Sequence, residues 1–225
     1  MKQLLFFLNL LFLSVSLVAC GADESAPAAT PVTAATDTPI RVVAMGDSLT
    51  EGLGVDPDQA YPAQLARKLA ADGFNVDVIN AGISGETTSG ARSRVDWVLS
   101  LDPDVVILAT GGNDGLRGID PSLTEDNIDA LVQRFQESGA VVVLAGMEMV
   151  QNMGEVYTSA FRAIYPDVAA RHDVILIPFF LEGVGGDPAL NQPDFVHPTA
   201  AGYEVVVETI YPYVVEALER VGTGD

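Results

Sequence analysis

Five short apolar runs punctuate this chain: Ile40–Met45, Val76–Ile79, Val105–Ala109, Val141–Ala145 and Val174–Ile177. Each is rich in Val and Ile, and more continuous than alternating. Strands buried on both faces of a parallel sheet read this way. Between and after the runs lie stretches with helical patterning: Tyr61–Ala71, Thr87–Leu99, Thr124–Ser138, Val156–Ala170 and Ala200–Arg220. Gly73 and Gly139 stand just past two of them as stop signals, and Pro62 suits the first turn of another. Strand and helix in alternation over this length predict a doubly wound α/β fold. The expectation is a three-layer α/β/α sandwich, with five parallel strands in a flavodoxin-like order. Ligands of such sheets bind beyond the carboxyl ends of the strands.

The N-terminal segment departs from this alternation. Met1-Lys2 is a short charged start, and Leu4 to Val18 is almost wholly apolar. That run is too short to span a bilayer comfortably, and no charged stop follows it. Leu17-Val18-Ala19-Cys20 reads as a lipobox, and Cys20 is the only cysteine in the chain. No intramolecular disulfide can form. Residues 1–19 are therefore expected to be a lipoprotein signal peptide, with lipid on Cys20. Several acyl chains on one cysteine would give stable membrane anchoring. The plainer alternative is a secretory signal with an incidental cysteine. Residues 20–39 are rich in Ala, Thr, Pro, Ser and Asp and read as a flexible linker, having too little apolar surface to offset ordering entropy. The folded domain is then 40–225, enough for one sizeable core. The expected place is the periplasmic or outer side of a bacterial membrane.

The chemistry gathers at the predicted strand ends. Gly46-Asp47-Ser48-Leu49 closes the first run, and Gly111-Gly112-Asn113-Asp114 follows the third. Asp194-Phe195-Val196-His197-Pro198 precedes the last helical stretch. A serine hydroxyl needs a base to take its proton, and the base needs an acid to hold its tautomer. Ser48, His197 and Asp194 are the candidates for nucleophile, general base and orienting acid. A helix N-cap serine, a structural histidine and a turn aspartate are the bland alternatives. The other histidine, His172, ends a polar helix and is expected to face solvent.

These blocks resemble the GDSL, or SGNH, hydrolase family of esterases and lipases. Four family blocks occur in order: Gly46-Asp47-Ser48-Leu49, Asn80-Ala81-Gly82-Ile83-Ser84-Gly85-Glu86-Thr87, Gly111-Gly112-Asn113-Asp114 and Asp194-Phe195-Val196-His197-Pro198. Gly111 to Gly118, Ala163 to Pro166 and Pro178-Phe179-Phe180 suggest the thioesterase I/lysophospholipase L1/arylesterase subgroup. The resemblance implies an oxyanion hole built from the Ser48 N–H, the Gly85 N–H and the Asn113 amide, with Gly82 as the rival to Gly85. It also implies carboxylic ester or thioester hydrolysis through an acyl-enzyme, on a small-molecule or lipid-like substrate. A carbohydrate acetylesterase is the alternative, and a non-catalytic binding lipoprotein the remote one. Met147, Met149 and Met153 lie where a substrate-binding loop would fall and could line an adaptable acyl pocket or merely pack under a loop. Asp47 and Asp114 read as structural braces. Arg117 could meet a polar substrate group, but a surface salt bridge is the expected reading.

Charge and composition narrow the alternatives. Eleven Lys+Arg face 31 Asp+Glu, a formal net charge of -20. Nucleic acid is a poor partner for such a surface. Two widely separated histidines and one cysteine do not make a zinc set. No P-loop occurs, and Thr50 stands where the nucleophile elbow of α/β-hydrolases has its second glycine. No metal or cofactor is expected, and the domain is expected to act as a monomer.

Overall fold

The computed structural model describes residues 38–149 and 151–223, so the signal segment, Cys20 and nearly all of the linker lie outside the described residues. Five parallel strands form the sheet: β1 (Ile40–Gly46), β2 (Val76–Gly82), β3 (Val105–Ala109), β4 (Val141–Ala145) and β5 (Ile175–Ile177). Their order is β2-β1-β3-β4-β5, the flavodoxin-like order. Register places Gly46 beside both Gly82 and Ala109, so three strands end at one level. The segments that leave those three ends build the site.

Among the described residues, eight α-helices connect and cover the strands: α1 (Ser48–Glu51), α2 (Tyr61–Ala71), α3 (Thr88–Ser93), α4 (Val95–Leu99), α5 (Gly112–Leu116), α6 (Pro121–Glu137), α7 (Glu155–His172) and α8 (Ala200–Thr223). Helices α2 and α8 pack together in one layer, while α3, α4, α6 and α7 form the other. Every residue of β3 is fully buried between them, which is why its run carries no polar position. Tyr61 meets Phe180 edge-on in one layer, and Phe161 meets Tyr165 edge-on in the other. Asp120 caps α6 by accepting from the Ser122 N–H, with Pro121 in its first turn, so this helix begins three residues before the expected Thr124.

The stretch Thr87–Leu99, expected as one helix, is two. The break falls at Arg94, whose φ and ψ of -116° and 10° leave the helical region. The cause is tertiary. The Arg94 guanidinium grips both oxygens of Glu86 and donates to the Ala81 and Gly46 carbonyls at the strand ends. Both side chains are nearly buried. No helix among the described residues is long and apolar enough to cross a membrane.

Candidate active site

Ser48 owes its position to β1, to a side-chain cap and to one close approach of backbones. Beyond Gly46 the chain turns at Asp47, whose carboxylate accepts from the Leu49 N–H at 3.0 Å and caps α1. Helix α1 then sits directly on the end of β2. A Cβ on Gly82 would lie 2.2 Å from the Glu51 nitrogen, so only glycine permits this contact. Ser48 occupies the first position of α1, where the backbone N–H is one of the helix's orphan donors.

The Ser48 hydroxyl lies 2.8 Å from His197 Nε2, across 149 residues of sequence. On the far side of the ring, Nδ1 is 2.7 Å from Asp194 Oδ2. A carboxylate can only accept, so the ring proton sits on Nδ1 and Nε2 is left to accept from the serine. The turn that holds the pair is built by the same aspartate. Asp194 Oδ1 accepts from the backbone N–H groups of Val196 and His197, both at 3.0 Å. These bonds, led by the His197 N–H and its ring, pull the Asp194 carboxyl down to about 2. Half exposure of the side chain to water favours the charge as well.

Two further donors stand on the neighbouring strand ends. Asn113 lies in α5, just past β3, and its Nδ2 donates to Asp47 Oδ2 at 3.0 Å. Gly85 lies in the loop after β2 at φ +76°. Neither the Ser48 N–H nor the Gly85 N–H donates to a protein acceptor among the described residues. The Gly82 N–H, by contrast, is spent on Asn80 Oδ1 at 2.9 Å. The Gly85 loop is held from both sides. Glu51 accepts from the Ser84 N–H, and Arg117 donates to the Gly85 carbonyl at 2.7 Å. Arg117 thus braces a loop, and among the described residues it does not join the surface salt bridge expected of it. Asp114 is fully buried and accepts from the Thr88 N–H and hydroxyl, tying α5 to α3.

Burial pushes the Asp47 carboxyl up to about 6, against the opposing pull of its hydrogen bonds from Leu49 and Asn113. A cavity of about 350 Å³ opens beside the serine turn. Its walls include Leu49, Leu116, Met147, Met149, Phe179 and Phe195, a mostly apolar set. Met153 is elsewhere. The turn Gln151–Met153 carries it to a separate depression, lined with Pro121 and Tyr157. Among the described residues no group of three or more His, Cys, Asp or Glu could hold a metal ion.

Residues 44–205 match the model of the GDSL-like Lipase/Acylhydrolase family. The chain belongs to this family. Esterase TesA of Pseudomonas aeruginosa is 38% identical over 172 residues, covering 76% of this chain and 86% of TesA. Thioesterase 1/protease 1/lysophospholipase L1 of Escherichia coli strain K12 is 37% identical over 166 residues, covering 73% and 77%. The crystal structure of AlinE4, a SGNH-hydrolase family esterase, superposes with a TM-score of 0.69 at 38% identity, covering 82% of this chain and 99% of that one. This member of the family is a carboxylic ester hydrolase, with the α/β sandwich of the SGNH hydrolases.

Some parts of this hydrolase's site left no trace in the local pattern. Phe179, Leu116 and Phe195 wall the cavity but belong to three separate segments. The link between Asp47 and Asn113 joins positions 66 residues apart. The expectation for His172 needs correcting. Its ring is mostly buried between α7 and α6, with Nε2 2.9 Å from Asp129 Oδ1. The packing of α7 on α6 removes it from solvent. It has a carboxylate partner, as His197 does, but among the described residues no hydroxyl stands on its other side.

Proposed function

We propose that this hydrolase cleaves carboxylic ester or thioester bonds through an acyl-enzyme formed on Ser48. His197 Nε2 takes the hydroxyl proton as Ser48 attacks the carbonyl. Asp194 keeps the other ring nitrogen protonated and steadies the imidazolium. The developing oxyanion is met by the Ser48 N–H, the Gly85 N–H and the free N–H of Asn113. His197 returns the proton to the leaving oxygen or sulfur. It then activates water to release the acid. The observation that carries the reading is the unbroken chain from Ser48 through His197 to Asp194, with contacts of 2.8 and 2.7 Å.

The apolar cavity supports an acyl chain longer than acetyl, held against Met147, Met149 and Phe195. This favours an arylesterase, thioesterase or lysophospholipase role over carbohydrate acetylesterase action. Ser48→Ala is expected to lower kcat on p-nitrophenyl esters by roughly 10⁴- to 10⁶-fold without unfolding the domain. Near-normal turnover would refute the assignment. With the wild-type domain, rates peaking on medium-chain rather than acetyl esters would support the acyl-cavity reading. Hydrolysis confined to acetate would move the assignment to an acetylesterase.

We also propose that lipid on Cys20 tethers the domain to a membrane, the residues before β1 acting as linker. The support is the lipobox and the sole cysteine within it. Metabolic labelling with a fatty acid tests this, with Cys20→Ser expected to abolish incorporation. Label retained by that variant would end the proposal.

A further inference from the structure

Asp47 sits immediately before the proposed nucleophile, and only 2% of it is exposed. A cap for α1 does not require a carboxylate there, since serine caps the N–H of a helix's first turn as well. Burying a carboxylate costs stability, and here burial opposes its ionisation. A negative charge near a developing oxyanion also works against the reaction. The residue needs a second reason, and its contacts supply one. Oδ1 is used on the Leu49 N–H, whereas Oδ2 accepts from Asn113 Nδ2 at 3.0 Å.

The two ends of an asparagine amide are nearly equal in size and opposite in character. Sterics therefore do not choose which end faces the substrate; the hydrogen-bond partner does. The Asp47 carboxylate accepts only, so it captures the NH₂ end. The second N–H of that group donates to no protein acceptor among the described residues and is available to a substrate oxygen. Reversed, Asn113 would present its carbonyl oxygen to a developing negative charge.

We propose that Asp47 is a positioning residue that fixes the flip state of the Asn113 amide and so makes it a donor to the oxyanion. The inference rests on the catalytic reading above. Asp47 touches no reacting atom; it acts through Asn113. It also couples the two strand ends, because the residue that orients Asn113 is the one that builds the Ser48 turn.

The test is a double-mutant cycle on the full domain with a p-nitrophenyl ester. In Asp47→Asn, the new side chain keeps its oxygen on the Leu49 N–H and turns an NH₂ toward Asn113. Two NH₂ groups cannot pair, so Asn113 flips. The kcat is expected to fall about 100-fold, the scale of losing one oxyanion donor, with KM little changed. In an Asn113→Ala background the same substitution is expected to cost nothing further, since the group it acts through is gone. Asp47→Ser retains the cap and cannot reach Asn113; the same loss is expected, and it decides the matter if Asp47→Asn does not fold. Thermal unfolding of each variant checks that the domain is intact. Full kcat in a folded Asp47 variant, or an equal loss with and without Asn113, would overturn the proposal. If Asn113→Ala alone leaves kcat unchanged, the oxyanion reading itself fails, and the proposal with it.

Discussion

Asp194 and Asp47 are carboxylates whose surroundings push them in opposite directions. Asp194 is held at about 2, below its ordinary 3.8, chiefly by the backbone N–H and ring of His197. A group lowered in the folded state stabilises fully above its unfolded value and loses that contribution as pH falls through the folded one. The stability difference between wild type and Asp194→Asn is therefore expected to stay constant above about pH 5. It should shrink as pH falls toward 2, read by thermal unfolding across that range. A difference that grew on acidification would contradict the contacts described. Asp47 is raised to about 6 by burial, so its ionisation opposes folding increasingly as pH rises through that value. The fold tolerates this where a neutral cap would serve, which is the mark of a residue kept for what it does to a neighbour. Ser48, His197 and Asp194 were legible as candidates because the blocks that carry them have characteristic residues at short spacing. The flip state of Asn113 was not, because it depends on a carboxylate from another strand.

At the scale of elements, the site depends on short pieces locked to strand ends. Helix α1 is a single turn, too short to be stable alone. It persists because Asp47 caps it, Gly82 lets it seat on β2, and the Asn80 side chain donates to the Thr50 carbonyl. The Glu86–Arg94 pair does similar work for the Gly85 loop, gripping the carbonyls where β1 and β2 end. Removing Arg94 leaves Glu86 buried without its partner, a loss of about 3–5 kcal/mol. Arg94→Ala is thus expected to lower the urea midpoint sharply, a result that equilibrium unfolding measures directly. A loss under about 1 kcal/mol would mean that the pair is hydrated and exposed, contrary to its burial. The long helices were readable from their periodicity to within a few residues. The break at Arg94 was not, since periodicity over Thr87–Leu99 is helical throughout and only the pull of the strand-end carbonyls interrupts it.

Across the whole molecule, acidic residues outnumber basic ones by 31 to 11. Such a charge repels itself in the compact state, and salt screens that repulsion. The melting temperature is expected to rise as sodium chloride increases from low to near-molar concentration. A fall would show that the ion pairs around Arg134, Arg171 and Arg220 outweigh the net repulsion.

What the sequence by itself determined is the layer architecture, the order of elements and the reaction class. The continuous runs of β1, β3 and β4 read as strands covered on both faces, and hydrophobic period is a local property. The tertiary structure alone decided the relations between strand ends. It ended β1, β2 and β3 at one level, so that Ser48, Gly85 and Asn113 follow neighbouring strands. It brought Met147 and Met149 to the apolar cavity beside the serine turn and took Met153 away from it, and it turned Arg117 into a brace. The physical reason is common to these cases: each is a contact between distant segments whose geometry is set by register and packing, which no single stretch of chain encodes.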